Sequence, residues 1–132
     1  MTRYFLTWLA VTAAFLAIDF VWLAYVARNF YRERLAGLLL DTFRLEYAAG
    51  FYLIYTIGII ALAVVPAVRS GNPWQAVLLG ALFGLCAYGT YDMTNLATLR
   101  GYSGIVAAVD MAWGTFLTAT AAFVGYQVLS RL

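Results

Sequence analysis

Asp19, Asp92 and Asp110 are the residues in this chain whose type and position could do chemistry. Each stands inside a long apolar run, although only six acidic residues occur among all 132. An aspartate at the centre of a spanning helix costs about 2.5–3.5 kcal/mol to insert. An average interhelical hydrogen bond returns about 0.6 kcal/mol. One such residue can be a packing fixture. Three need another reason, and ionisable residues inside a membrane mark ion, proton or substrate paths.

Their spacing sets them at one depth. Asp19 precedes Arg28 by nine residues, Asp92 precedes Arg100 by eight, and Asp110 follows Arg100 by ten. At 1.5 Å per residue each lies roughly 12–15 Å in from the first arginine on that side. The spacing therefore predicts one shared site fed by three helices. Carboxylates about 6 Å apart would repel by roughly 2.8 kcal/mol at an effective dielectric near 20. Convergence thus requires a held proton or a cation among them. Arg100 is the basic residue that could snorkel to Asp92. Oxygen donors without histidine or cysteine suit protons or hard cations rather than zinc or copper, and the identity of any metal is left open.

The surroundings of the aspartates supply further groups. "AIDFVW" (17–22) and "AVDMAW" (108–113) share one frame, placing Trp22 and Trp113 three residues after Asp19 and Asp110. Residues at i and i+3 share a helix face, so each aspartate is expected to have an indole beside it. "YDMTN" repeats the aspartate with Asn95 in the indole's place, and Tyr91, Thr94, Thr98, Tyr52 and Tyr55 are the other polar candidates. Gly80 and Gly84 form a GxxxG pair below Tyr88 and Asp92. Small residues at that spacing let a neighbouring helix, or a second copy of the chain, approach closely.

The elements that must position these residues are legible. The chain is 65% hydrophobic and 11% charged, with a mean hydropathy of +0.86; a soluble domain is nearer half apolar and a quarter charged. Four runs, about 4–27, 47–68, 75–97 and 103–129, reach the roughly 20 apolar residues a spanning helix needs. No period-two alternation suggests a barrel. The short breaks "RSGNPW" and "LRGYSG" make neighbouring spans antiparallel, predicting an all-α four-helix membrane bundle over 1–132 as one domain. The first run is long, holds Asp19 and lacks a small-x-small site, so it reads as a retained span rather than a signal peptide. Between the first two spans, Tyr31, Leu35, Leu38, Leu39 and Phe43 recur at helical spacing. Either a helix in the headgroup layer or a plain loop broken at Gly37 fits them.

Composition also excludes classes of function. A net charge of +2 spread over eight arginines gives no basic patch for nucleic acid. There is no histidine, and Cys86, alone inside an apolar run, is expected to be a small buried residue offering neither a disulfide nor a cysteine metal site. No cofactor motif is present. Arg28, Arg32, Arg34, Arg44 and Arg100 fall in the first and third loops, against Arg3, Arg69 and Arg131 on the other side. That bias predicts cytoplasmic loops one and three with both termini outside.

The run "LFGLCAYGTYDMTNLATLRG…VDMAWGTFLTA", with "DFVWLAYVARNFYRERLAGLL" near the start, resembles a family of small bacterial membrane proteins catalogued as domain of unknown function 2177. The resemblance spans nearly the whole chain, and its Tyr-Asp-x-Thr-Asn-Leu-Ala-Thr signature is specific. It implies a four-helix protein of the bacterial inner membrane, with Asp19, Trp22, Asp92, Thr94, Asn95, Asp110 and Trp113 on the family's characteristic motifs. It brings no established activity.

Three functions fit these readings, in descending order. The first is proton, cation or small-solute handling through the aspartate cluster, in a homo-oligomer because four helices are few for a path. The second is an accessory or assembly subunit of a larger membrane complex, surrounded by membrane lipid. The third is an enzyme modifying lipid or fatty acyl chains, with an aspartate as general acid or base. The absence of histidine, of a nucleophile constellation and of a cofactor motif weighs against it.

Overall fold

The computed structural model describes residues 1–39 and 44–132. Four helices are long and apolar enough to cross a membrane: Thr2–Val26, Leu45–Ser70, Pro73–Thr98 and Gly104–Leu129. A fifth, short helix, Arg28–Arg34, follows the first span. The apolar side chains that point out of the bundle, such as Leu78 at 69% and Ile54 at 74% exposed, are what lipid contact requires. Cys86 belongs with them. It is exposed, not buried as its apolar neighbourhood suggested, because an apolar run in a membrane helix faces lipid as readily as core.

Local chemistry fixes the ends of the elements. Gly71 closes the second span with φ of 69°, a left-handed conformation that side chains disfavour. Asn72 then caps the third span by accepting from the Trp74 amide, with Pro73 at the first helical position. Ser103 caps the fourth span through the Val106 amide at 3.2 Å. Between these caps Gly101, at φ of 76°, makes the turn that sends Tyr102 back over the bundle.

Two π turns break the regular ladder. Ile60–Val64 lies just ahead of Pro66, whose ring has no N–H and clashes with the carbonyl four residues back. A widened turn relieves both faults. Trp22–Val26 ends the first span immediately beyond Asp19, and such insertions are frequent at working sites.

The third and fourth spans form the closest pair, and the first span rests on the fourth. The pair is close because its contact is made of small residues. A Cβ added at Gly80 would lie 2.8 Å from Ala122 Cβ, one at Gly84 would meet Gly114 and Thr118, and one at Gly114 would strike the Tyr88 ring. The GxxxG pair is therefore consumed inside the chain, and the homo-oligomer expectation loses the stripe it stood on. Around this seam Val11, Phe15, Ile59, Val64, Leu117 and Ala121 form the apolar core. Two polar clamps tie it: Trp8 Nε1 donates to Thr56 Oγ1 at 3.0 Å, and Tyr55 Oη shares a 2.8 Å hydrogen bond with Thr118 Oγ1. Gly114→Val should cost about 1–3 kcal/mol by overpacking this seam. Thermal unfolding in detergent would check it, and an unchanged midpoint would mean that the helices part without strain.

The segment between the first two spans follows neither expectation fully. Tyr31 lies on the short helix, but the helix ends at Arg34 and turns follow through Leu39, with Gly37 at φ of 88°. Phe43 lies outside the described residues.

Candidate functional site: an aspartate–aromatic chain across the bundle

The three aspartates do not form one cluster. Among the described residues, no three His, Cys, Asp or Glu side chains come together in a way that could hold a metal ion. Asp92 and Asp110 lie close enough to influence each other, while Asp19 lines a cavity together with Asp110. Equal spacing along the helices is thus not convergence on one metal-binding point.

Each carboxyl has its own partners. Asp19, 8% exposed, accepts from Tyr52 Oη at 2.9 Å and from Trp113 Nε1 at 3.1 Å. Asp110 accepts from Tyr31 Oη at 3.2 Å, and that hydroxyl in turn accepts from Trp22 Nε1 at 3.4 Å. Asp92, 0% exposed, accepts from Tyr102 Oη at 2.8 Å through one oxygen; its other oxygen is buried with no hydrogen-bond partner. The two halves meet where Trp22 stacks on Trp113, with centroids 4.3 Å apart and planes 9° from parallel.

The indoles serve crosswise. Trp113 bonds Asp19 of another span, and Trp22 reaches Asp110 only through Tyr31. The π turn that begins at Trp22 re-aims the end of the first span, so face-sharing at i and i+3 does not decide the partner. Arg100 is exposed; a tyrosine from the same loop, Tyr102, takes the place beside Asp92 that a snorkelling arginine was expected to fill. Asn95 is half-buried near Tyr102. Thr94 is exposed and turned onto its own helix, bonding the Thr90 carbonyl, and Thr98 likewise bonds Thr94 O at 2.7 Å. Neither threonine joins the chain. Tyr91 lines the cavity and packs edge-on against Tyr102, with centroids 6.3 Å apart.

The cavity between Asp19 and Asp110 measures about 440 Å³. Its walls are largely aromatic, including both stacked indoles, Tyr52 and Tyr88, and among the described residues no arginine lines it. A second cavity of about 310 Å³ shares Tyr31, Tyr91 and Asp110 with the first and reaches Arg32, Leu35 and Tyr102. Tyr31 and Tyr102 were not among the site residues expected from sequence. Tyr31 stood out only as part of an apolar helix face, and Tyr102 sits in a turn whose direction depends on Gly101.

Both of those phenols lie outside the spans, and their acidity is altered. Burial, and then the neighbouring carboxylates Asp110 and Asp92, push Tyr31 up; its bond from Trp22 acts the other way. Burial and the hydrogen bond to Asp92 push Tyr102 up, offset in part by Asn95. The folded state therefore favours the neutral phenols. Their stabilisation is complete below the free-tyrosine value of 10.0 and is lost as pH climbs above it. Alkaline titration followed at 295 nm should show these two tyrosines ionising only with unfolding. A phenolate signal near pH 10 in folded wild type that is lost in Tyr31→Phe or Tyr102→Phe would contradict their placement.

Tyr102→Phe should leave Asp92 without a donor on either oxygen, at a cost of about 1–3 kcal/mol. Thr94→Ala should be nearly silent, since it removes only a bond to the preceding turn. Thermal unfolding of the pair would show it, and equal effects would contradict the assignment.

Fold and site together define an integral membrane protein of four spans, with an aromatic, carboxyl-bearing cavity near one end of its bundle. The chain belongs to the family described as "Predicted membrane protein (DUF2177)", whose model matches residues 4–127. No curated protein and no solved structure matches it significantly.

Proposed function

We propose that this protein handles a small solute, with accompanying protons, at the cavity between Asp19 and Asp110. The observation that carries the reading is the pairing of two carboxyls from different spans across an aromatic-walled space of about 440 Å³. A bare proton wire fits less well. Indole N–H groups donate but cannot accept, so the Trp22–Trp113 stack interrupts any hydrogen-bonded route between the halves. What can join Asp19 to Asp110 is an occupant of the cavity. Intramembrane carboxyls are the groups on which such a site takes up a cation or a proton.

The residues that line the cavity come from one chain, so homo-oligomerisation is a separate question. An accessory role in a larger complex draws no support from the GxxxG seam, which is internal, or from the outward apolar side chains, which lipid explains. The candidate hydroxyls Thr94 and Thr98 turn onto their own helix, which leaves a lipid-modifying reaction without a nucleophile there. We propose a bacterial inner membrane from the family resemblance, and both termini outside from the arginine count.

Proteoliposomes loaded with a pH-sensitive dye would test the reading against separate panels of amines, neutral polar solutes and alkali cations. Wild-type protein should give a solute-dependent pH change inside the vesicles, and Asp110→Asn should remove at least nine-tenths of it. Equal responses from both, or none above empty vesicles, would overturn it.

A further inference from the structure

On the strength of that reading, we infer that the cavity's ligand carries an ammonium group on an organic body. Four observations lead there. Two carboxyls line the space and, among the described residues, no arginine does, so a phosphate or carboxylate ligand would meet carboxyls with no cation to match it. The walls are largely aromatic side chains, the stacked Trp22 and Trp113 with Tyr52 and Tyr88 among them. Aromatic faces attract cations, and tryptophan most strongly. A volume of about 440 Å³ is an order of magnitude more than the roughly 30 Å³ of one water. A bare alkali or alkaline-earth ion would be left there without the oxygen shell it requires. Finally, Asp92 has a fully buried oxygen with no hydrogen-bond partner among the described residues.

The ammonium's charge is met by the two carboxyls that line the cavity, Asp110 and Asp19, the second held in place by two donors. The ammonium could belong to a soluble amine or to an aminolipid headgroup, since the chemistry recognised is the same.

The stacked indoles give a direct readout. In a Trp8→Phe, Trp74→Phe background only Trp22 and Trp113 fluoresce, and both line the cavity. The protein would be placed in nanodiscs of phosphatidylglycerol, which has no ammonium, and titrated with phenethylammonium and separately with neutral 2-phenylethanol. The cation should shift the emission and bind at least ten-fold more tightly than the alcohol. Asp19→Asn should weaken it at least ten-fold, and Ala87→Leu, which fills the cavity wall, should abolish it. Adding phosphatidylethanolamine should compete with the probe if the source is a lipid headgroup and leave it unchanged if the source is a soluble amine; either outcome supports the ammonium class. Equal or tighter binding of the alcohol, lost in Ala87→Leu, would overturn the ammonium class while leaving a ligand site. No response to either probe, unchanged by Ala87→Leu, would overturn both. The comparison of probes is made on one protein, so it does not depend on any variant folding.

Discussion

Asn in place of Asp92 is expected to make this protein more stable, not less. Asp92 is fully buried, with one oxygen bonded to Tyr102 and the other bonded to nothing. Its nearest acidic neighbour is Asp110, another carboxyl. An amide keeps the acceptor that Tyr102 needs and turns the unpartnered oxygen side into a donor that Asp110 can accept. A buried unsatisfied polar atom costs about 1–3 kcal/mol, so the gain should be of that order. Asp92→Leu should go the other way, because it strands the Tyr102 hydroxyl. Unfolding followed by intrinsic fluorescence separates the two. A loss of stability in Asp92→Asn would mean that the carboxylate is matched by a partner. A protein that keeps a destabilising group of this kind commonly does so where activity needs it, so the same variant should lose solute-dependent proton movement.

Trp113→Ala is expected to give the largest loss of stability of any single tryptophan change. Trp113 makes the stack with Trp22, a tilted contact to Phe116 at 5.7 Å, and the 3.1 Å bond to Asp19. Truncating a packed tryptophan typically costs about 3–5 kcal/mol. Trp113→Phe keeps an aromatic face but removes the donor, and a hydrogen bond to a charged group contributes about 1.5–3 kcal/mol. Two comparisons make this specific. Trp74, 71% exposed, should tolerate phenylalanine within about 0.5 kcal/mol. In an Asp19→Asn background Trp113→Phe should cost measurably less than in wild type, because the cycle shares one bond. Strict additivity would deny that the bond matters.

The spans were legible because lipid imposes one requirement on every residue of a crossing helix, and composition alone records it. Each expected span agrees with the structure to within two residues at either end. The expected depth of the aspartates rests likewise on a fixed rise per residue. Their partners were not legible. Spacing along one helix says nothing about which residue a neighbouring helix presents, and the π turn at Trp22–Val26 altered the facing on which the i and i+3 argument relied. Tyr102 was hidden because its position depends on a single positive φ at Gly101, and Tyr31 because it read as part of an apolar stripe. The GxxxG pair was legible as a close contact. Whether that contact lay within or between chains could be decided only by the placement of Gly114 and Ala122.

The most direct test of a working site between Asp19 and Asp110 is native mass spectrometry of protein extracted gently from its own membrane. It should be run beside an Asp19→Asn, Asp110→Asn double variant. A functional cavity predicts a small-molecule adduct on wild type that is absent from a folded double variant. Identical spectra for the two proteins, with no adduct or with the same lipids on both, would contradict it and leave the aspartates as hydrogen-bonding fixtures of the bundle.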